Sequence, residues 1–335
     1  MYGRAARFDF VFDDHSLIGP DGPRWLGPEW IPYRPLRYLS LWLDHAIGGG
    51  SPAVYHATNI ALHAAAAALV VLAARRFGAR RGLAAAAGVL FAAHPLAIEA
   101  VAYVAGRRDL LALVFGLGAL LAWTADRPRT RLALFLAIGS VAAKESGAVT
   151  ILVLAAASRA GLGPRLDRGR LASLATAAVA AGLLAIAYGA TGPLWPGGTL
   201  GGTVSMALHL SAHYGRHLLW PAGLSVEYPA LAGAALSWPG PIETITGAAS
   251  LLVASWSLAW ALWRPRRGAL ALALFWPAAV FLSVALVIGA HEPGADRHAY
   301  PLLASMAVSI AVAASTALNA RPLKARGAGV LQPAA

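Results

Sequence analysis

Four stretches without Asp, Glu, Lys or Arg dominate this chain: Asp44 to Arg75, Arg81 to Glu99, Glu243 to Arg264 and Arg267 to Glu292 bound them. Each is close to or above the roughly 20 residues that a helix needs to cross a hydrocarbon core. A chain surrounded by lipid must pair its backbone polar groups internally, which leaves helices or closed barrels. Ala and Leu favour the helix, and no ten-residue alternating segments suggest a barrel. The expected fold is therefore all-α, a polytopic integral membrane helical bundle. Composition agrees, since 13% of the residues are charged against roughly a quarter in a soluble domain. The net charge of +12 sits in short loops beside apolar runs, where it reports topology, so no nucleic-acid partner is expected. Without cysteine there are no disulfides, thiolate chemistry or Cys-ligated metals.

Membrane segments are expected at Pro52–Ala74, Gly82–Ala93, Leu110–Ala125, Leu132–Ala157, Leu171–Ala190, Thr244–Trp263, Ala269–Gly289 and Tyr300–Leu318. Five basic clusters punctuate them: Arg75, Arg76, Arg80 and Arg81; Arg127, Arg129 and Arg131; Arg159, Arg165, Arg168 and Arg170; Arg264, Arg266 and Arg267; and Arg321, Lys324 and Arg326. The positive-inside rule puts all five in the cytoplasm. Both flanks of Leu132–Ala157 are then inside, which a single crossing cannot satisfy. Lys144-Glu145-Ser146-Gly147 divides that stretch into two short apolar halves, so a re-entrant helix pair with Lys144 and Glu145 at its tip is expected. Charges at such depth require protein or water around them.

The same rule places 1–50, 93–109, 191–243 and 290–298 on the outer face. The chain divides into an outer-face catalytic loop region (1–50), a transmembrane domain (51–320) and a disordered cytoplasmic tail (321–335). An outward N-terminus with no preceding span leads to the expectation of a further transmembrane helix upstream of Met1. High Ala, Gly and Arg usage fits a GC-rich bacterial genome. The expected location is the bacterial cytoplasmic (inner) membrane, with the active face outward.

The outer segments hold the residues able to do chemistry. In Phe8-Asp9-Phe10-Val11-Phe12-Asp13-Asp14-His15, adjacent carboxylates repel, so one can acquire a raised pKa and act as a base; cation binding or a simple Asp turn are the other readings. His94-Pro95 precedes Glu99, Tyr103, Arg107, Arg108 and Asp109. The two arginines break the outside-poor pattern, as an anion site or as snorkelling side chains paired with Asp109. Lys144 at the hairpin tip is either a phosphate contact or half of a structural ion pair. His209 and His213 stand at i and i+4, a metal-ligand spacing with no third ligand motif nearby, so no metal is expected. Arg297 either meets an anion or pairs with Asp296 or Glu292.

Taken in order, several short motifs resemble the membrane domain of the GT-C superfamily, specifically bacterial relatives of the TMTC-type transmembrane O-mannosyltransferases. They are Phe12-Asp13-Asp14, Tyr33-Arg34-Pro35-Leu36, Tyr55-His56 with Asn59 and Leu62-His63, His94-Pro95 with Glu99-Ala100-Val101-Ala102, Gly106-Arg107 with Asp109-Leu110-Leu111, Ala143-Lys144-Glu145 with Gly147, Leu219-Trp220-Pro221 with Tyr228-Pro229, and Asp296-Arg297 with Tyr300-Pro301. The resemblance implies transfer of a sugar, typically mannose, from a polyprenyl-phosphate carrier to an acceptor hydroxyl of a protein or glycan on the outer face. It implies a general base at Asp13 or Asp14 and donor-phosphate contacts from Lys144, Arg107, Arg108 and Arg297. Supporting contacts would come from Arg34, His56, His94, Glu99, Asp109, Glu145, Glu227 and Tyr228. The donor is a lipid-linked sugar, no cofactor is expected, and membrane lipid is a further partner. The tetratricopeptide repeats that often follow this membrane domain are not in the sequence. A transporter or flippase would instead line a polar path across the bilayer, yet the cytoplasmic loops carry little beyond arginine; an inactive truncated scaffold is the third possibility.

Overall fold

The computed structural model describes residues 2–24, 34–187, 198–225, 228, 231, 237–286 and 294–320, and over them the apolar runs are helices. In chain order these are α1 (Asp14–Leu17), α2 (Pro35–Gly48), α3 (Pro52–Arg76), α4 (Arg81–Ala93), α5 (Ala97–Ala102), α6 (Arg107–Trp123), α7 (Thr130–Ala143), α8 (Val149–Arg159), α9 (Arg168–Ala187), α10 (Leu200–Leu219), α11 (Pro241–Trp263), α12 (Ala269–Leu286) and α13 (Tyr300–Ala320). A two-residue antiparallel pair, β1 (Ile18–Gly19) with β2 (Gly22–Pro23), interrupts them. Glu227, Tyr33 and the expected tail 321–335 lie outside the described residues.

Three of the described helices, Pro52–Arg76, Pro241–Trp263 and Asp296–Ala320, are long and apolar enough to cross a membrane. Local chemistry sets their ends. Pro52 and Pro241 occupy the first turn, where a missing N–H costs nothing. Pro95 forces His94 into extended backbone (φ −69°, ψ 129°) and stops α4, because the residue before proline is driven out of the helical region. Small alanines let α3, α4, α6 and α13 approach closely. The largest fully buried side chains, among them Trp123, Tyr55, Tyr214, Tyr300 and Phe91, fill the space that remains.

The stretch Leu132–Ala157 is split as its charges demand. α7 ends where Lys144 turns extended (φ −156°, ψ 138°), a 3₁₀ turn spans Glu145–Ala148, and α8 returns. Gly147 lies against the Ser140 backbone so closely that a Cβ would collide with it. At one end the Arg129 N–H donates to the Ala122 carbonyl and the Trp123 indole donates to Ser158 (2.9 Å). At the other end Lys144 meets Asp109 at the start of α6. The hairpin thus runs alongside α6 from one end to the other, and its charged tip meets Asp109, Arg34 and His298.

Contacts sort the loops into two ends. At one, Arg76 pairs with Asp126 (2.7 Å) and Arg80 donates to Asn319 (2.7 Å). At the other gather residues 2–24, α2, α5, the hairpin tip and the turn before α13. Within residues 1–50, the expected outer-face loop region, Pro35–Gly48 forms a 14-residue helix whose buried face mixes charged and apolar side chains. Arg37 and Asp44 are buried beside Tyr38 and Leu41 while Leu39, Leu43 and Ile47 are exposed, because Asp44 pairs with Arg107 and Arg37 lies over the Tyr38 ring. α10 lies across this same end: His209 approaches Ser237, His213 the Gly294 carbonyl, and Leu218 accepts from His94.

Candidate functional site

The acidic pair is split by its backbone. Phe12 and Arg34 are the only non-glycine residues with positive φ (48° and 55°) among those described, a conformation that costs energy and is held only by surrounding structure. After Phe12 the chain turns into α1, so Asp13 faces outward and Asp14 inward. Asp14 is fully buried and accepts N–H bonds from Ala105 (2.8 Å), Val104 (3.3 Å) and Val11 (3.3 Å). Those bonds fasten residues 9–17 to the loop between α5 and α6, where Gly106 allows the backbone within 2.6 Å of a Cβ position at the Ala100 carbonyl. Burial pushes the Asp14 carboxyl up to about 6, with the three N–H bonds opposing and the Asp13 charge adding. Burial also raises the Tyr103 phenol, reinforced by Asp13 beside it.

This shift has a definite sign. A carboxyl that holds its proton more tightly in the folded chain than in the unfolded one stabilises the fold at low pH, and that contribution is lost as pH rises from about 4 to about 6. Its size is at most about 3 kcal/mol. Thermal unfolding of the parent and Asp14→Asn across that window should therefore differ: the stability gap should change with pH below about 6 and be flat above it. A gap independent of pH throughout would contradict the burial.

Arg107, Arg34, Lys144 and Arg297 are each committed to a carboxylate from another element. Arg107, fully buried, pairs with Asp44 and donates to Asn59 Oδ1 (2.8 Å) and to the carbonyls of Tyr55 (2.7 Å) and Ser40 (3.2 Å). Its guanidinium is consumed in tying α2 and α3 to α6, so this expected phosphate contact is a clamp. Arg34 grips Glu145 at the hairpin tip through two bonds (2.6 and 3.0 Å), and such forked pairing fixes orientation as well as distance. Lys144 donates to Asp109 (2.6 Å) and stands 3.3 Å from His298 Nδ1; Arg108 lies 3.6 Å from Asp109. Arg297 pairs with Glu99, which also accepts the Arg297 N–H (2.8 Å), and its guanidinium lies over the Tyr103 ring (5.6 Å). Burial raises the Glu99 carboxyl, and the charge of Arg297 opposes that rise. Tyr228 bonds both oxygens of Asp296 (3.1 Å). His94 accepts from the Leu96 N–H and points Nε2 at the Leu218 carbonyl. His56 is buried beneath Phe8 (6.4 Å between rings).

A polar chain results. Asp13 adjoins Tyr103, Tyr103 carries Arg297, the neighbouring His298 meets Lys144, and Lys144 meets Asp109. Below Lys144, Asp109 and His298 opens a cleft of ≈ 60 Å³ between α6, the hairpin and α12, with walls that include Leu113, Leu117, Val153, Trp276 and Val280. An ion-paired polar head over apolar walls has the shape of a site for an amphiphile. Asp44, His298 and His217 were missed in the sequence. Asp44 marked only the edge of an apolar run, His298 was overshadowed by Arg297, and His217 continues the His209–His213 stripe by one more turn.

The fold and these pairs define a helical integral membrane protein with a polar centre at one end of the bundle. Its curated relatives are TMTC-type protein O-mannosyl-transferases. The chain is 41% identical over 155 residues to protein O-mannosyl-transferase Tmtc2 of Drosophila melanogaster, covering 42% of this chain and 16% of that protein. It is 39% identical over 127 residues to Tmtc1 of the same organism, covering 36% and 15%, and 43% identical over 91 residues to human TMTC2, covering 27% and 11%. The chain therefore spans about a sixth or less of the length of these relatives. No family model matches it, and no solved structure does.

Proposed function

We propose that the chain transfers a sugar, mannose by analogy with its relatives' names, from a polyprenyl-phosphate carrier to a hydroxyl of an acceptor protein. The transfer occurs at the end of the bundle carrying Asp13, which we assign to the outer face. One observation carries this reading: an exposed carboxylate lies at one end of the polar chain, and a lysine-headed apolar cleft lies at the other. Asp13 takes the acceptor's proton as its oxygen attacks the anomeric carbon. The bond from that carbon to the phosphate oxygen breaks, and the lipid phosphate leaves with the electron pair. Lys144, with Arg108 and Arg297 close by, meets the charge that develops there. Asp14 positions Asp13 through its bonds to Val104 and Ala105, Arg34 holds the hairpin tip through Glu145, and Arg107 keeps the loop seated. The lipid-linked sugar is the only co-substrate in this reading.

Vesicles containing the intact gene product, supplied with radiolabelled mannose on polyprenyl phosphate, should pass label to protein. Labelled nucleotide sugar, with no enzyme to load the carrier, should not. Equal labelling from the nucleotide sugar would refute the lipid-linked donor.

A further inference from the structure

His213 and His217 stand one turn apart on α10, and Asp296, from the turn before α13, meets them. One ligand atom from each lies within 4.8 Å of the other two. His213 Nε2 is 3.7 Å from Asp296 Oδ1, and the two imidazole centroids are 4.3 Å apart. His217 is 3% exposed, and neither of its ring nitrogens makes a hydrogen bond of acceptable geometry, although the Ala222 backbone acts on the ring. Burying imidazole nitrogens that make no good hydrogen bond is unfavourable, so a ring set beside a second imidazole and a carboxylate calls for an explanation.

We infer that His213, His217 and Asp296 form a divalent metal site of the zinc class. Two imidazoles and one carboxylate are the nitrogen and oxygen donors that zinc takes, and three protein ligands leave a fourth tetrahedral position open. Tetrahedral bonds of about 2.0–2.2 Å need ligand atoms roughly 3.3 Å apart, so the trio closes by a small side-chain rotation. His213 gives up its 3.0 Å contact with the Gly294 carbonyl in doing so. Asp296 is already oriented: Tyr228 donates to it and in turn accepts the Ser225 N–H (2.9 Å), the kind of outer support that fixes a ligating carboxylate. Tyr214 holds the same turn through the Ala295 carbonyl (3.2 Å). His209 takes no part, since it faces Ser237 and Glu243. This site goes beyond the transfer reading and does not depend on it.

Metal binding to the intact, tag-free protein in detergent, stripped with chelator, tests the inference without any activity assay. Added Co²⁺ should give the visible bands of low-coordinate cobalt. Equilibrium dialysis should find one Zn²⁺ per chain, and zinc should raise the thermal midpoint. His217→Asn should weaken zinc binding by more than roughly 100-fold, the upper end of what outer supports are worth, and His209→Asn should bind as the parent does. No cobalt spectrum in the parent, or zinc bound equally by His217→Asn, would overturn the site. The parent spectrum decides the matter even if the variant fails to fold.

Discussion

Asp13→Asn should lower sugar transfer by roughly 10²- to 10⁴-fold, the range a positioned general base supplies, while leaving the thermal midpoint where it was. The two halves of that result come from the same geometry. Asp13 is exposed, so its amide analogue disturbs no buried pair, yet it stands at the Tyr103 end of the polar chain where the acceptor hydroxyl would lose its proton. Asp14→Asn gives a different signature. Its side chain accepts three backbone N–H bonds, so an amide in that place sets donor against donor and loosens the loop. Stability should fall, and activity with it. Radiolabel transfer and thermal unfolding, measured on both variants, separate the roles; near-normal transfer by Asp13→Asn would remove it as base.

Lys144→Ala should destabilise the fold by about 3–5 kcal/mol, the usual result of leaving one charge of a buried pair alone. Both Lys144 (2% exposed) and Asp109 (4%) are buried, and their 2.6 Å contact joins the hairpin tip to α6. Loss of activity in that variant alone would say little about donor binding. The informative variant is Lys144→Met with Asp109→Leu, which removes both charges of the 2.6 Å pair and keeps the volume, leaving Arg108, 3.6 Å from Asp109, to its other contacts; such replacements are often neutral or stabilising. It should unfold close to the parent in detergent and still fail to transfer sugar. Normal transfer by that double variant would show that Lys144 serves the fold and not the donor.

The helices were legible because lipid imposes so few solutions on an uncharged run, and the break at Lys144–Glu145 because both flanks are basic. Their partners were not. Arg107 with Asp44, Lys144 with Asp109, Arg297 with Glu99 and Arg34 with Glu145 join different elements, and nothing in a single sequence says which charge meets which. The contrast between Asp13 and Asp14 was equally hidden. Neighbours in sequence look alike until Phe12 adopts its left-handed backbone and turns one out and the other in. Helical spacing did mark His209 and His213 as a pair, but it is His213 and His217 that lie beside Asp296, which reaches them from the turn before a different helix.

In the proposed reaction the lipid phosphate sits under Lys144 with its sugar toward Asp13. A structure of the intact protein with a non-transferable polyprenyl phosphonate-sugar analogue tests this directly. The predicted result is phosphorus density in contact with Lys144 Nζ, the prenyl chain along Leu113, Leu117 and Val280, and the anomeric carbon on the Asp13 side. A head group bound at the opposite end of the bundle, beside Arg76 and Arg80, would contradict it.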